Sequence, residues 1–257
     1  MSKIVIIGSG NVAQHLITAF ENAENQGSEI DLVQVFSRKV SSVSHLLDRA
    51  RITDDLQSLA VADLYIIAVS DGAIAEIAAQ LPFKNRLVVH TSGSVALTVL
   101  DDDNRKGVFY PLQSFTKNKA VDFRTIPICL ESENATDYQL LDRVAKSISD
   151  KIFAINSEQR KALHVAAVFV NNFTNNLYQI GQEICQNNQV PFEILTPLIT
   201  ETAQKILLLS PLEAQTGPAK RNDTETIAAH EAFLTNENHL KIYQTLTQSI
   251  QEHGKKL

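Results

Sequence analysis

The sequence contains little cysteine and methionine and no tryptophan, which limits the protein classes to which it can belong. Its 257 residues include two cysteines, one methionine and no tryptophan. Two cysteines in a chain of this length make neither a disulfide framework nor a paired-cysteine metal site. No apolar run approaches the roughly 18 residues that a membrane span needs, and the first residues lack the pattern of a secretory signal. We therefore expect a soluble, cytoplasmic protein without a membrane partner.

The charge balance is equally ordinary. The formal net charge is −6, with 44% hydrophobic and 20% charged residues. A mildly acidic chain is not built to coat nucleic acid or an anionic membrane, whereas its apolar content suffices for a globular core. We expect its partner to be a small molecule rather than a nucleic acid.

Strand-like and helix-like segments alternate through the first 155 residues. Short β-branched runs are typical of buried strands, and the segments between them repeat apolar residues at helical spacing. This alternation predicts an α/β Rossmann domain with a mostly parallel, doubly wound sheet. The predicted strands are 3–8, 30–37, 63–70, 86–90, 107–110, 126–130 and 151–155. The predicted helices are 11–25, 41–49, 72–81 and 135–149.

From residue 157 onward the pattern contains only helices. A long helix is predicted at 157–187, a second at 191–210, and two shorter ones at 223–234 and 236–254. The sequence therefore predicts an α/β domain at 1–155 and an all-α domain at 156–257.

The first strand–helix connection carries the glycine pattern Gly8-x-Gly10-x-x-Ala13. In a Rossmann domain the first glycine permits a tight turn, the second lets the backbone approach a pyrophosphate, and the third small residue allows close helix packing. The N-terminus of the next helix attracts the phosphates. The pattern predicts a dinucleotide site, with a tight turn that binds nothing as the alternative. The predicted contact residues are Gly8, Ser9, Gly10, Asn11 and Val12.

The end of the second predicted strand indicates which dinucleotide binds. An NAD site usually places an acidic residue there to bond the ribose hydroxyls, but this strand ends in Ser37-Arg38-Lys39. A serine and two cations suit the 2′-phosphate of NADP. The sequence thus favours NADP over NAD. The missing acid also counts against a methyltransferase that uses S-adenosylmethionine. The alternative is that the two cations only solvate the start of a helix.

Polar turns also follow the third and fourth predicted strands. Val69 and Ser70 leave room for a ribose and nicotinamide, and Ser92 and Gly93 lie where a substrate would meet the nicotinamide. Ligands of open parallel sheets bind beyond the carboxyl ends of the strands. Gln113, in the next loop, is a candidate wall of the substrate pocket. The alternatives are a serine-rich helix cap and a packed loop.

The predicted helix at 157–187 is largely apolar but carries a row of polar residues. His164, Asn171 and Asn175 fall along one face at helical spacing. Histidine exchanges protons near physiological pH. We interpret His164 as a general acid and the asparagines as residues that orient a reacting carbonyl or imine. Because asparagine is costly to bury without partners, helix–helix hydrogen bonds are the alternative explanation.

A second polar cluster lies just before residue 223. Lys220 and Arg221 follow a Gly-Pro turn and are candidates for binding a substrate carboxylate or phosphate. Helix capping by Asp223 beside a solvated loop is the alternative. His164, Asp223 and His230 lack the close spacing of metal ligands, so no metal site is predicted.

These motifs resemble the 6-phosphogluconate-dehydrogenase-like reductases, in which a Rossmann domain precedes an all-helical domain. The resemblance is nearest to a bacterial family named for a proposed NADP oxidoreductase activity of the deazaflavin-coenzyme-dependent type. It is carried by GSGNVA, HTSGS, YPLQSF, the HVAAVFVNN helix and TGPAKRNDTETIAAH. It implies that 1–155 binds NADP and that 156–257 forms a substrate and homodimer domain. Nothing in these residues indicates a deazaflavin coenzyme.

The chain departs from this group at one position. The resemblance places the catalytic lysine of the hydroxyacid dehydrogenases at Val168, so that mechanism does not carry over. The sequence predicts an NADP-dependent oxidoreductase for a small carbonyl, imine or hydroxyacid, with His164, Asn171 and Ser92 at the catalytic site. The alternative is a non-catalytic NADP-binding sensor or assembly protein that keeps the fold.

Overall fold

The computed structural model describes residues 1–117 and 119–254. The chain divides into two compact units, the first ending at Asn171 and the second beginning at Asn172. The first unit contains the sheet and the helices packed on it, and the described part of the second is helical. The fold is therefore a Rossmann-like α/β region followed by an all-α region, as the sequence predicts.

The first unit is built around one eight-stranded sheet. The strands are β1 Ser2–Ile7, β2 Ile30–Phe36, β3 Ile52–Thr53, β4 Leu64–Ile67, β5 Leu87–His90, β6 Arg105–Pro111, β7 Ile128–Ser132 and β8 Ile152–Ala154. Their order is β3-β2-β1-β4-β5-β6-β7-β8, and every neighbouring pair is parallel except β6 and β7. The carboxyl ends of β1 to β6 consequently share one edge of the sheet.

Both faces of this sheet are covered, which explains why β1 is apolar throughout. Ile4 and Ile6 join the core on one face with Leu16 of the first helix, whereas Val5 and Ile7 join a second core on the other face. Side chains of a strand alternate between faces, so a sheet buried on both sides needs apolar residues at every position.

The described residues of the first unit form four α-helices. They are α1 Asn11–Asn25, α2 Ile74–Ala79, α3 Ala135–Ile148 and α4 Ser157–Ala167. The predicted bounds of α1 are confirmed. The predicted helix at 41–49 is wrong, since only a 3₁₀ turn at Val40–Ser42 forms there, followed by further turns. Serine and β-branched valine, which make up most of its start, are mediocre helix formers.

The predicted single helix at 157–187 is interrupted by a π-helical turn. α4 is followed by the turn Val168–Phe173 and then by α5 Thr174–Asn187. A π turn adds one residue to the helical repeat, and each residue of an α-helix corresponds to about 100° of rotation. The α-helical spacing that aligned His164 with Asn171 therefore does not hold through this turn.

The described part of the second unit consists of α5 and five further helices. They are α6 Thr196–Lys205, α7 Pro211–Ala214, α8 Pro218–Arg221, α9 Thr224–Phe233 and α10 Glu237–Gly254. α6 ends before the predicted residue 210, and the loop predicted between 211 and 222 contains two single-turn helices. Among the described residues of this unit only Ala219 is buried. Its apolar side chains are otherwise half-buried or exposed.

Candidate active site

A groove of about 810 Å³ follows the carboxyl ends of β1, β2 and β4. The sequence-predicted cofactor residues on its wall are Gly8, Ser9, Gly10, Asn11, Val12, Ser37, Arg38, Val69 and Ser70. A binding crevice at this edge of an open parallel sheet is where dinucleotides bind in Rossmann domains.

The glycine loop has the geometry that a phosphate site requires. Gly8 has a φ of +142°, and a Cβ atom there would collide with the carbonyl group of Ala68, so only glycine fits. Gly10 is the N-cap of α1, and no described side chain caps the first turn of that helix. The N–H groups of this turn are therefore available to an anion.

The three residues predicted to bind a phosphate lie in the turn after β2, and their surroundings differ. Ser37 is buried, and its hydroxyl donates to the Lys39 carbonyl at 2.8 Å, so this side chain shapes the turn. Arg38 is exposed on the groove wall, and its side chain has no partner among the described residues. Lys39 is exposed but lies outside the groove lining. Of the two cations, Arg38 thus lines the groove and Lys39 does not.

Two carboxylates reach the same end of the groove, and the sequence analysis missed them. Asp54 and Asp55 follow β3, which pairs with β2 so that Thr53 lies beside Phe36. The Asp55 side chain accepts hydrogen bonds from the Ser58 hydroxyl at 2.6 Å and the Gln57 N–H at 2.9 Å, and these bonds lower its pKa. β3 is only two residues long, so no strand pattern indicated that these acids would line the same groove as Arg38.

A second group of side chains meets at the end of β5. The Gly93 backbone lies against His164 of α4 and Tyr110 of β6: a Cβ atom at Gly93 would be 2.6 Å from the His164 Nδ1 atom and 2.7 Å from the Tyr110 hydroxyl oxygen. The Tyr110 hydroxyl and the His164 Nδ1 atom are 3.3 Å apart. The structure thus brings together Gly93 and His164, which the sequence predicted, and adds Tyr110.

Burial raises the pKa of Tyr110 to about 12. The phenol is neutral at physiological pH and can accept a hydrogen bond from the His164 ring when its Nδ1 atom carries a hydrogen. Such a bond fixes the imidazole ring while Nε2 remains free to exchange a proton. Tyr110 is a positioning residue for His164 in this arrangement.

Ser92 holds the turn in shape rather than presenting a free hydroxyl. Its side-chain oxygen accepts from the N–H groups of Ser94 at 3.1 Å and Val95 at 3.0 Å. Its own N–H donates to the Nδ1 atom of His90 at 3.2 Å. His90 is fully buried, and burial, followed by the positive charge of Arg160, lowers its pKa to about 4. The 3₁₀ turn Leu97–Val99 begins after Ala96 without a side-chain cap from any described residue, so the serine-rich helix cap expected as an alternative is not formed. Ser92 instead supports the Gly93 turn.

A buried ion pair anchors α4 beside this turn. Arg160, which is 1% exposed, contacts Glu131 of β7 and donates to the Val95 carbonyl at 2.5 Å. The Ser157 hydroxyl also donates to Glu131, at 2.9 Å. Arg160 lies one helical turn before His164, so the same contacts that bury this charge set the position of the histidine.

Among the described contacts, none joins the remaining predicted site residues to this cluster. Gln113 is exposed, and its side chain accepts from the neighbouring Ser114 N–H. Asn171 is exposed within the π turn, and Asn175 is exposed in α5, so the cost of burial invoked for these asparagines does not apply. Lys220 and Arg221 are exposed in α8.

Asp223 performs the capping role expected as an alternative in this second cluster. Its carboxylate accepts from the N–H and hydroxyl groups of Thr226 at 3.1 and 2.8 Å, which lowers its pKa. Across the described residues, no three histidine, cysteine or acidic side chains are grouped to hold a metal ion. No helix in that part of the chain is long and apolar enough to span a membrane.

Comparisons with known proteins agree with this geometry. Residues 3–93 match the family described as NADP oxidoreductase, coenzyme F420-dependent, and residues 126–250 match a domain of unknown function, DUF2520. No curated protein matches the chain. A proposed NADP oxidoreductase from Bacteroides fragilis is 37% identical, with 98% of each chain covered and a TM-score of 0.86.

More distant structures share the fold alone. A protein from Thermotoga maritima is 20% identical over 98% of each chain, with a TM-score of 0.76. A variant imine reductase from Myxococcus stipitatus, in complex with NAD⁺, is 14% identical, with a TM-score of 0.63 over 100% of this chain and 94% of that one.

The matched family and the related structure are described as NADP oxidoreductases, and the Rossmann-type fold and glycine loop of this chain fit that class. At 37% identity over 98% of both chains, the protein belongs to the same family as the Bacteroides fragilis protein, that of the Rossmann NADP oxidoreductases with an appended helical region.

Proposed function

We propose that the protein is an NADP-dependent oxidoreductase that transfers hydride between nicotinamide and a small carbonyl, imine or hydroxyacid. The observation that carries this proposal is the contact of Gly93 with His164 and Tyr110, at the same sheet edge as the glycine loop. The glycine loop and Arg38 would hold a dinucleotide in this groove, and its nicotinamide would supply hydride chemistry at the sheet edge where β5 ends.

His164 exchanges the proton in this proposal. During reduction the hydride goes to the substrate carbon, and the Nε2–H group of protonated His164 supplies the proton to the oxygen or nitrogen. Tyr110 accepts from the opposite ring nitrogen and holds the ring. Ser92 contributes through the turn that it caps, and Asn171, Asn175, Gln113, Lys220 and Arg221 are retained as candidates for substrate orientation and binding.

Turnover of NADPH with a panel of small ketoacids and cyclic imines, and of NADP⁺ with small hydroxyacids, tests the proposal. Replacing the proton donor as His164→Ala should lower the rate on the order of 10²–10⁴-fold. His45→Ala removes an exposed histidine outside this cluster and should leave the rate unchanged. NADPH binding without turnover of any panel member would favour the sensor or assembly role. Full activity of His164→Ala would refute the assignment of the proton donor.

We also propose a homodimer that covers the helical region. The most exposed of its apolar side chains are Leu207 at 80%, Leu208 at 88%, Ile194 at 63% and Leu198 at 62%. A region with almost no core of its own does not bury enough apolar surface to be stable alone, and large apolar patches are typical of obligate interfaces. Light scattering after size exclusion should give twice the 28.4 kDa chain mass, and a monomer at micromolar concentration would contradict this proposal.

A further inference from the structure

The strongest unassigned feature of the groove is the carboxylate of Asp54. The Ser37 N–H donates to the Thr53 carbonyl at 2.9 Å, so the ends of β2 and β3 are bonded side by side. Arg38 and Asp54 are the next residues along each strand, and both line the groove. A cation and an anion therefore flank the place where Rossmann domains bind the adenosine ribose.

The Asp54 carboxylate can contact a ligand, whereas the Asp55 carboxylate is already hydrogen-bonded within the chain. The Asp54 side chain is exposed and has no hydrogen bond or ion pair among the described residues. The Asp55 carboxylate is occupied by Gln57 and Ser58, which fixes the short 3₁₀ turn at Leu56–Ser58. Among the described acidic residues of the groove lining, Asp54 is thus the one without a hydrogen-bond or ion-pair partner.

The two dinucleotides differ in what they offer to such an anion. NADP carries a 2′-phosphate of about −1.5 to −2 charges, which a nearby carboxylate repels and Arg38 attracts. NAD carries a 2′-hydroxyl, which can donate a hydrogen bond to a carboxylate. Repulsion of one ligand and attraction of the other both lower the preference for NADP.

We infer that Asp54 is a specificity-determining residue that limits the preference for NADP and allows the same groove to bind NAD. This inference rests on the proposed dinucleotide binding but not on the proposed substrate or on His164. Arg38 makes the groove prefer NADP over NAD, and Asp54 reduces that preference.

Binding measurements with the full-length protein test the inference without a substrate. Dissociation constants for NADPH and NADH are measured by nucleotide fluorescence for the wild type and for Asp54→Asn. Asparagine keeps the size of the side chain and removes its charge. NADPH should bind roughly three- to tenfold more tightly to the variant, as expected for one charge several ångströms from a phosphate in a water-exposed groove. NADH should bind equally or more weakly, so the NADPH preference rises.

Two controls separate a local effect from a change in net charge. Asp48→Asn removes an exposed carboxylate that is outside the groove lining, and it should leave both dissociation constants unchanged. Asp55→Asn should change the ratio less than Asp54→Asn, because the Asp55 carboxylate is turned to its own 3₁₀ turn. Salt screens exposed charges, and the screening length falls from roughly 14 Å at about 0.05 M salt to roughly 4 Å at about 0.5 M. The gain in NADPH affinity caused by Asp54→Asn should therefore be smaller at the higher salt concentration.

The outcomes distinguish this inference from the function on which it rests. An unchanged or lower NADPH preference in Asp54→Asn would overturn the role of Asp54 alone. An equal change in Asp48→Asn or Asp55→Asn would overturn it as a general charge effect. If the wild type bound neither nucleotide, the proposed function and this inference would both fail.

Discussion

Alanine at position 93 is expected to displace the His164 side chain. The new Cβ atom would lie 2.6 Å from the His164 Nδ1 atom and 2.7 Å from the Tyr110 hydroxyl oxygen, whereas ordinary contact begins at 3.4 Å. The shortfall for the histidine, 3.4 minus 2.6, is about 0.8 Å. A displacement of about 1 Å at a reacting group can cost 10²-fold in rate. We expect turnover in Gly93→Ala to fall roughly 10- to 100-fold.

Cofactor binding and folding should respond much less. Gly93 is outside the groove lining, so the dissociation constant for NADPH should stay within twofold of the wild type. Overpacking of a tight contact costs about 1–3 kcal/mol, which lowers the melting temperature of a chain of this size by a few degrees. Steady-state oxidation of NADPH, nucleotide fluorescence and thermal unfolding measure the three quantities separately.

A matched control is available at the neighbouring turn. Gly72 follows β4 at the same edge of the sheet, and a Cβ atom there would meet nothing within 4 Å. Gly72→Ala should therefore keep wild-type turnover. Unimpaired turnover in Gly93→Ala, or an equal loss in Gly72→Ala, would refute the close contact as the cause.

Two further predictions concern pH and the cofactor. The pKa of His90 is 6.5 when the chain is unfolded and about 4 when it is folded. As the pH decreases from 6.5 to 4, the unfolded state therefore binds a proton that the folded state does not. The free energy of unfolding falls over this range as a result. Urea titrations should show a loss of up to about 3 kcal/mol, and His90→Asn, which does not titrate, should flatten this dependence; an unchanged slope would contradict the assignment. Arg38→Asp should abolish the preference for NADP over NAD in calorimetry, and an unaltered ratio would show that Arg38 does not contact the 2′-phosphate.

The sequence predicts the first part of the fold well because its signals are local. In β1 and α1, apolar runs, glycine spacing and helical periodicity all favour one structure, and the predicted α1 bounds of 11–25 are confirmed. The segment 41–49 lacks this agreement. Its hydrophobic spacing resembles a helix, but serine and valine favour other conformations, and the structure forms turns instead.

The missing parts of the site depend on contacts between distant residues. Tyr110 and His164 are 54 positions apart, and no local pattern shows that they meet. Asp54 reaches the groove only because a two-residue strand pairs with β2. Arg160 is a buried charge in a first turn of α4 whose other residues are exposed or half-buried, and its burial depends on Glu131 from β7. The π turn likewise cannot be read from helix propensity, because it depends on how the backbone bonds shift.

β7 runs antiparallel to β6, and this direction limits changes in the length of α4 before His164. Because β7 and β8 run against β6, the chain leaves β8 away from the edge where Gly93 lies, and α4 must lead back to it. Ser157 and Arg160 fix the start of α4 on Glu131, and His164 is four residues further on, about 6 Å along the helix axis. Inserting or deleting one residue between Arg160 and His164 would turn the histidine by about 100°. The spacing between the Arg160 anchor and the proposed proton donor His164 is therefore expected to tolerate no insertion or deletion.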